Sequence, residues 1–402
     1  MRPLTSVLVP PGPAGLAALL DPLRLAITGA GPAIAPLPAV TATISPDYVD
    51  RLRSATRPDD PGQPLESEDV AVVIATSGSM GMPKGVLLTG AGLTALDGAI
   101  NGPRAQWIAA LPLHSMGGLN VAVRAIASGN DPIAVASLGG AQPFTPAVFA
   151  DAVERASGGQ IHVSLVTAQL RRLLADDLGI AALQACALIL VGAGPLAART
   201  RALAVQHRVS LITSYGMTET SGGCVFDGKP LPGVRVHISS DSYGTLVING
   251  PMLAAGYRLA PELSRTAFTA DGFITSDHGS VDDTGLVRVI GRTDDAIIIN
   301  GVNVSVTAVE QVIADMGKVA DVVVFSVPGP DDQLVLVAAI ETTGGPALEG
   351  AIKTNVQQRL GPAAVPCHVI ALTELPMLPN GKVDRVRLIT LATQSGRLPW
   401  QR

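Results

Sequence analysis

The sequence predicts an α/β protein. It should have a large N-terminal domain of layered α/β subdomains plus a small β-rich subdomain, and a small mobile α+β C-terminal domain. Three observations predict this architecture. Apolar strands alternate with helical stretches up to Gly222, short strands separated by turns follow, and a second α+β unit occupies about the last 110 residues. The polar break from Arg292 to Asp295 separates the units, so we place the domains at residues 1–292 and 293–402.

The spacing of apolar residues predicts the elements of the large domain. The predicted helices are 15–25, 91–100, 120–127, 147–155 and 167–176, and the predicted strands are 70–75, 107–113, 161–166, 188–191 and 209–213. Strands that alternate with helices in this way indicate a largely parallel sheet.

Short strands predict the β-rich subdomain, and a second set of elements predicts the small domain. The β-rich strands are 234–239, 244–249, 272–275 and 286–290. The small domain has strands 296–299, 321–327, 334–340 and 368–372 and helices 306–316 and 348–360.

Composition excludes several classes of function. The formal net charge is −5, only 15% of the 402 residues are charged and 3% are aromatic. A nucleic-acid or anionic-membrane binder would show a basic excess, and a single-strand binder would need stacking aromatics. The chain also lacks the run of about 20 apolar residues that a membrane span requires.

Cysteine usage and the N-terminus favour a cytoplasmic protein. The three cysteines, Cys186, Cys224 and Cys367, are scattered and odd in number. They form neither a disulfide framework nor a metal-ligand spacing, which fits a reducing compartment. Prolines at positions 10, 11 and 13 interrupt the N-terminus before a signal-peptide apolar region can form.

The segment from Val70 to Gly85, VAVVIATSGSMGMPKG, is the most informative stretch of the chain. A buried strand there leads into a loop that contains hydroxyls, glycines and one lysine. Backbone N–H groups, hydroxyls and an ammonium can together cradle phosphate oxygens. The loop lacks the Gly-Lys-Ser/Thr of a Walker A sequence, and an ordinary mobile surface loop is the alternative. The candidate phosphate ligands are Thr76, Ser77, Gly78, Ser79 and Lys84.

Lysine is rare in this chain, which makes two of its lysines more informative. Only five of the 28 basic residues are lysines. Lys84 lies in the glycine-rich loop, and Lys382 directly follows Asn380-Gly381, a strong tight-turn signal. A lysine offers a compact charge on a flexible stem, suited to a moving phosphate or carboxylate. An ordinary exposed lysine remains the alternative for Lys382.

The segment SYGMTET, Ser214 to Thr220, follows the predicted strand 209–213. Ligands of open α/β sheets bind at the carboxyl ends of strands. Tyr215 could present a flat face to a nucleobase, Thr218 could hydrogen-bond phosphate, and Glu219 could hold Mg²⁺. A capped helix start with a buried tyrosine is the alternative.

Residues 188–196, LILVGAGPL, give an isolated glycine match after a strand. A dinucleotide fingerprint needs an acidic residue at the end of the next strand, and none is present. We therefore interpret Gly192, Ala193 and Gly194 as a tight turn where the backbone can approach an adenine.

Three further polar residues lie near the domain boundary. Asp277 in TSDHG is a candidate acceptor for sugar hydroxyls, although a solvated turn aspartate would give the same pattern. Arg292 is a candidate ribose or phosphate contact. Asp294 lies where a hinge would be, and a plain linker is compatible with that role.

Taken in order, these segments resemble the adenylate-forming superfamily of acyl-CoA ligases, adenylation domains and luciferases. The match extends over roughly residues 65–388. Within the superfamily, the resemblance is closest to the 2-succinylbenzoate–CoA ligases of menaquinone biosynthesis. It rests on ALPLHSMGGLNVAVRAI (110–126), on SYGMTETSGGCVFDGKPLPGV (214–234) and on the short chain.

The resemblance implies an AMP-forming acid–CoA ligase that uses ATP, Mg²⁺ and CoA. The large domain would bind ATP and the acid, and the small domain would carry the catalytic lysine. For the nucleotide, it implies that the loop Thr76 to Lys84 holds the pyrophosphate. It also implies that Gly192, Ala193, Gly194, Tyr215 and Gly216 line the adenine, that Thr218 contacts the α-phosphate, that Glu219 binds Mg²⁺, and that Asp277 and Arg292 contact the ribose.

The resemblance also implies roles outside the nucleotide pocket. Lys382 would reach the α-phosphate and the substrate carboxylate, and Asp294 would be the hinge. His114, Arg124 and Ser214 fall where an aromatic acid would lie. Arg124 would pair with a second carboxylate by bidentate hydrogen bonding.

One departure and two alternatives remain open. The family usually has threonine where Met80 stands, so the loop lacks one hydroxyl. A stand-alone adenylation enzyme that loads a carrier protein is the enzymatic alternative, and a nucleotide-binding sensor with a decayed site is the non-enzymatic one. The sequence leaves the oligomeric state open, including a homo-oligomer.

Overall fold

The computed structural model describes residues 2–76, 83–100, 105–156, 159–194, 196–239, 244–292, 296–299, 302–329, 334–342, 348–377 and 383–394. Several predicted site residues lie outside these ranges: Ser77, Gly78, Ser79, Met80, Asp294 and Lys382.

Strands and helices alternate along most of the chain, as the sequence predicts. The strands are β1 (Leu4–Val9), β2 (Ala33–Pro38), β3 (Val70–Thr76), β4 (Lys84–Thr89), β5 (Ala105–Ala109), β6 (Ile133–Ala134), β7 (Gln160–Val166), β8 (Leu188–Gly192), β9 (Ile212–Met217), β10 (Gly222–Phe226), β11 (Lys229–Pro230), β12 (Arg235–Ile238), β13 (Thr245–Asn249), β14 (Gly256–Tyr257), β15 (Phe268–Thr269), β16 (Gly272–Val281), β17 (Val287–Arg292), β18 (Ala296–Ile299), β19 (Val302–Ser305), β20 (Asp321–Pro328), β21 (Leu334–Glu341) and β22 (His368–Leu372).

The helices pack around these strands. They are α1 (Pro13–Thr28), α2 (Pro46–Thr56), α3 (Gly90–Thr94), α4 (Asp97–Ile100), α5 (Met116–Ala127), α6 (Pro146–Glu154), α7 (Thr167–Leu174), α8 (Asp177–Gln184), α9 (Ala198–Gln206), α10 (Pro261–Ala267), α11 (Val306–Ala314), α12 (Leu348–Leu360) and α13 (Arg385–Gln394). Within the described ranges, none of them combines the length and apolar character needed to cross a bilayer.

Two sheets share the main core of the large domain. The N-terminal sheet has the order β1-β2-β3-β4-β14, and the seven-stranded central sheet has the order β11-β10-β9-β8-β7-β5-β6. Strands β5 to β9 of the central sheet pair in parallel, which confirms the predicted parallel sheet. Leu19 and Leu23 of α1 and Leu119 of α5 are fully buried between the sheets, whereas α6 to α8 cover the opposite face of the central sheet.

The β-rich sheet and the small domain follow in chain order. The β-rich sheet has the order β12-β13-β16-β15, and β17 pairs with β16. The small domain contains a three-stranded sheet of order β20-β21-β22 and the hairpin β18–β19. Helices α11 and α12 contribute to the core on one face of the three-stranded sheet, and Leu388 and Ala392 of α13 pack on the other.

Strand β9 shows where the sequence prediction was wrong. The predicted strand 209–213 began three residues too early, because the strand spans Ile212–Met217. All six of its residues are half-buried, so they give no continuous apolar signal. Of the segment SYGMTET, the turn Thr218–Thr220 therefore lies beyond the carboxyl end of β9, whereas Ser214 to Met217 lie within the strand.

A charged contact joins the two domains. On α7, Arg171 lies 3.0 Å from Asp321 and 3.8 Å from Glu341, which are paired residues at one end of the small-domain sheet. Arg172 forms a 2.6 Å ion pair with Glu374. Because α7 directly follows the carboxyl end of β7, this contact holds the small domain on the side of the central sheet where ligands of such sheets bind.

We predict that Arg171→Glu loosens the docking of the small domain, because a carboxylate would then face Asp321 and Glu341. The Arg171–Asp321 pair is partly buried and should contribute about 1 kcal/mol to docking. Small-angle X-ray scattering should show an increased radius of gyration. The double variant Arg171→Glu/Asp321→Arg should restore the wild-type value.

Arg24→Glu is the matched control, because Arg24 pairs with Asp131 inside the large domain. An unchanged radius of gyration in Arg171→Glu would contradict the docking role, as would an equal increase in Arg24→Glu.

Candidate active site

The turn after β9 is held by polar side chains from two directions. Thr220 donates its hydroxyl to the Gly222 carbonyl at 2.7 Å and accepts a hydrogen bond from the Met217 backbone N–H at 2.9 Å. Asn120 of α5 donates to the Ser221 carbonyl at 2.8 Å. These bonds fix the backbone on both sides of Thr218 and Glu219.

Two glycines allow β9 and β10 to approach closely around this turn. A Cβ on Gly216 would lie only 2.0 Å from the Gly222 carbonyl oxygen. Gly222 itself has a φ of 100°, and a Cβ there would lie 1.8 Å from Asn120 Nδ2. A side chain at either position would displace the turn, so both glycines are required by the backbone.

Tyr215 joins the central sheet to the β-rich sheet. Its hydroxyl donates a 2.7 Å hydrogen bond to Asp277 Oδ2, and Arg292 lies 3.3 Å from Asp277 Oδ1. Asp277 and Arg292 are directly paired residues of β16 and β17. Burial and the adjacent Asp277 charge raise the pKa of Tyr215, which keeps its phenol protonated as the donor. The buried Asp277 carboxylate retains lone pairs that a sugar hydroxyl could use.

Tyr257 joins the central sheet to the N-terminal sheet. Its hydroxyl donates a 3.0 Å hydrogen bond to Glu219 Oε1. The ammonium of Lys84 lies 5.4 Å from the centre of the same ring, within cation–π range. Two predicted site residues of opposite charge are therefore brought to one aromatic side chain.

The base of the predicted phosphate loop lies on the hairpin β3–β4. Thr76 and Lys84 are opposite each other in its register, and the Thr76 hydroxyl donates to the Lys84 carbonyl at 3.5 Å. Of the segment between them, residues 77–82 are outside the described ranges. The loop therefore starts and ends beside the Lys84–Tyr257–Glu219 cluster.

The glycine turn lies beside the same strand. Gly192 ends β8, and a Cβ on it would lie 3.2 Å from the Ser214 carbonyl oxygen of β9. Ala193 has a left-handed backbone with a φ of 66°, and Ala193 and Gly194 are exposed. The exposed turn and Tyr215 thus come from neighbouring strands, as two walls of one pocket would.

His114 lies in an apolar environment before α5. It is 6% exposed, and its ring makes an edge contact with Tyr48 at 6.4 Å. Burial lowers its pKa to about 4, so the imidazole is neutral at pH 7. Its Nε2 has no hydrogen-bond partner in the described residues. It faces a small cavity also lined by Val9, Pro10, Pro11, Pro38, Ala39, Ile44, Leu113, Leu138 and Gly139.

Arg124 lies at the opposite end of α5 from His114. Its guanidinium packs 5.2 Å from the centre of the Trp107 ring. Burial lowers its pKa to about 10, while the nearby Asp97 charge opposes that shift. Burial likewise raises the pKa of Asp97 to about 6, against the effect of Arg124.

The prediction that Arg124 and His114 line one acid pocket stays a prediction. Met116, the first residue of α5, and Arg124 are separated by eight residues, or about 12 Å of helical rise. The guanidinium already has an aromatic face and a carboxylate as neighbours. Arg124 itself is buried in the last turn of the helix.

Sequence reasoning missed three residues that hold the site together: Tyr257, Arg258 and Asn120. Tyr257 and Arg258 follow a glycine in a segment that contains no recognisable motif. One signal was available, because the whole chain has only four tyrosines. Two of these four, Tyr215 and Tyr257, bind carboxylates at the site.

Comparisons with known proteins identify the family of the chain. Residues 26–258 match the family model of the AMP-binding enzymes, and residues 308–382 match the model of the AMP-binding enzyme C-terminal domain. A protein of Mycobacterium tuberculosis named probable 2-succinylbenzoate–CoA ligase is 36% identical over 393 residues. That match covers 95% of this chain and 96% of the relative.

Solved structures share the fold. The amide bond synthetase McbA from Marinactinospora thermotolerans superimposes with a TM-score of 0.76 at 24% identity, covering 97% of this chain and 90% of that one. The o-succinylbenzoate CoA synthetase of Bacillus subtilis, solved with its acyl-adenylate intermediate, gives a TM-score of 0.70 at 21% identity, covering 96% and 88%.

The fold is that of the adenylate-forming enzymes, in which a large N-terminal domain is followed by a smaller C-terminal one. The chain belongs to the AMP-binding enzyme family.

We predict that His114 makes stability fall as the pH is lowered. Because burial lowers the folded-state pKa to about 4, the unfolded chain binds a proton near pH 6.5 that the folded protein excludes. The stabilisation from neutral His114 is present above pH 6.5 and is lost as the pH falls towards 4. The loss can reach about 3 kcal/mol.

The measurement is urea unfolding of wild type and His114→Gln from pH 7.5 to pH 4. The stability difference between them should change across this range in the direction that disfavours wild type at low pH. The exposed His237 provides the control variant His237→Gln. A constant difference between wild type and His114→Gln would contradict the assignment.

Proposed function

We propose that this chain is an ATP-dependent, AMP-forming ligase that converts 2-succinylbenzoate into its CoA thioester through an acyl-adenylate. The observation that carries the proposal is the 36% identity, along 95% of this chain, to a protein named as such a ligase. That likeness extends over both domains, so it concerns the whole catalytic cycle rather than nucleotide binding alone.

The nucleotide would lie across the carboxyl ends of β8 and β9. In this proposal Gly192, Ala193, Gly194, Tyr215 and Gly216 line the adenine. The ribose hydroxyls bond to Asp277 and Arg292. The loop from Thr76 through Ser77, Gly78 and Ser79 to Lys84 holds the pyrophosphate, and Thr218 contacts the α-phosphate. Two observed clusters support this placement of ribose and phosphates. One is Tyr215–Asp277–Arg292, the other is Lys84–Tyr257–Glu219, and both lie at the turn after β9.

Glu219 would hold a Mg²⁺ ion. Its carboxylate is half-buried, and Tyr257 orients one oxygen by a 3.0 Å hydrogen bond. Carboxylate oxygen is the donor that Mg²⁺ prefers, so the residue fits the ion. When bound, the ion would compensate the phosphate charge that repels an approaching carboxylate.

The chemistry consists of two displacements. The substrate carboxylate attacks the α-phosphorus of ATP, the bond to the bridging oxygen breaks, and pyrophosphate leaves. The thiolate of CoA then attacks the acyl carbon, the bond to the phosphate oxygen breaks, and AMP leaves. Lys84 and Lys382 would stabilise the negative charge of the first step by fixed positive charge.

The proposal places His114, Arg124 and Ser214 near the acid, with the buried guanidinium of Arg124, which also packs on Trp107, as the partner of the second carboxylate. A small domain from residue 293 onward would carry Lys382 and turn about Asp294 between the two steps. The ion pairs of Arg171 and Arg172 with the small domain would hold one of its orientations. We also propose that the enzyme acts in the cytoplasm.

The test is AMP release from ATP with a panel of acids, with and without CoA. We expect release that requires CoA and 2-succinylbenzoate, with kcat/KM at least about tenfold above that for benzoate, because a site built for a second carboxylate loses a charged hydrogen bond with benzoate. Glu219→Gln should abolish the activity. Glu262→Gln, at an exposed side chain, should not.

Two outcomes would contradict the proposal. Good turnover of benzoate without turnover of succinylbenzoate would overturn the substrate. Pyrophosphate exchange stimulated by amino acids, with no thioester formed from CoA, would indicate an enzyme that loads a carrier protein.

A further inference from the structure

The segment from Ala254 to Arg258 lies between the phosphate-loop hairpin and the turn after β9. The Ala254 backbone N–H donates to the Glu219 carbonyl at 2.9 Å, and the Arg258 N–H donates to the Gly85 carbonyl at 2.7 Å. Between them, β14 pairs with β4. The main chain of this segment therefore bonds both to the phosphate-loop hairpin and to the turn that carries Glu219.

Arg258 anchors this segment from the far side. Its side chain is fully buried and donates to the carbonyls of Pro64 at 2.7 Å and Thr56 at 3.3 Å, and it pairs with Glu66 at 3.1 Å. A buried guanidinium with this many partners is expensive to displace. The adjacent Tyr257 is consequently held in a fixed place.

Tyr257 presents two different surfaces to two opposite charges. Its hydroxyl donates to the Glu219 carboxylate, and its ring face receives the Lys84 ammonium. Tyr257 is only 5% exposed, and Phe268 packs edge-on against its ring at 5.5 Å. In the part of the chain that the structure describes, Lys84 and Glu219 do not form an ion pair with each other.

Without an intervening group, a lysine and a glutamate at one phosphate site would attract each other. A direct pair would neutralise both charges before nucleotide and cation arrive. A phenol between them gives each charge a weaker partner: a neutral hydrogen-bond donor for the carboxylate and a π face for the ammonium. Both charges then remain available to ligands.

We propose that Tyr257 is a positioning residue that separates and orients Lys84 and Glu219, so that Lys84 is directed to the nucleotide phosphates and Glu219 to the divalent cation. The proposal rests on the roles assigned to Lys84 and Glu219 in the proposed function. It adds a third residue, which touches neither the acid nor the reacting atoms in this scheme. Residues that orient a metal ligand in this way commonly change metal affinity by about tenfold or more.

The test uses equilibrium binding of nucleotide and metal to the full chain. The probes are α,β-methylene-ATP and Mn²⁺, with Mn²⁺ binding followed by water-proton relaxation. Tyr257→Phe removes the hydroxyl and keeps the ring. We expect its Mn²⁺ affinity in the presence of the analogue to fall by about tenfold, with analogue affinity in EDTA unchanged.

Tyr257→Leu removes the ring face as well. Its analogue affinity in EDTA should fall by about threefold, because the ammonium loses its aromatic partner and can turn towards Glu219. Phe273→Leu is the control for lost aromatic packing. Phe273 packs against Phe268 and not against either charge, so both affinities should stay at the wild-type value.

Wild-type Mn²⁺ affinity in Tyr257→Phe would overturn the proposal. An equal loss in Tyr257→Phe and Phe273→Leu would also overturn it, because the effect would then come from loosened packing. A wild-type enzyme that binds the analogue and Mn²⁺ but makes no thioester from succinylbenzoate would overturn the proposed substrate and leave the Tyr257 result standing.

Discussion

Two tyrosine–carboxylate pairs, each joined by one hydrogen bond, connect the three sheets of the large domain around the turn after β9. Tyr215 of the central sheet bonds to Asp277 of the β-rich sheet, and Tyr257 of the N-terminal sheet bonds to Glu219 beyond the central sheet. The first pair joins two sheets, the second joins the N-terminal sheet to the turn after β9, and Tyr215 lies on the strand that leads into the same turn. The candidate site depends on this constraint because its residues come from segments that are far apart in the chain.

The sequence predicted the parts of the fold that apolar periodicity specifies. Strand β3 begins at Val70 as expected, because its first five residues are buried and apolar. Strand β9 was predicted too early, because its residues are half-buried and polar ones interrupt the pattern. Its conformation is imposed by pairing with β8 and β10, which a local window of sequence does not contain.

The candidate site likewise contains residues that local sequence indicates and residues whose place depends on distant partners. Glu219, Asp277 and Lys84 were identified because each lies in a short segment with a recognisable composition. Tyr257 was not, because its partner is 38 positions away, and Arg258 bonds to residues about 190 to 200 positions away. Arg124 stays a predicted ligand of the acid, and the structure gives its guanidinium Trp107 and Asp97 as neighbours.

A crystal structure with α,β-methylene-ATP and Mg²⁺ would show most directly whether the two tyrosine–carboxylate pairs frame one nucleotide site. We expect the ribose beside Asp277, the phosphates beside Lys84, and the metal bound to Glu219, with both tyrosine hydrogen bonds intact. A nucleotide bound elsewhere, or one whose phosphates displace Tyr257 from Glu219, would contradict this expectation.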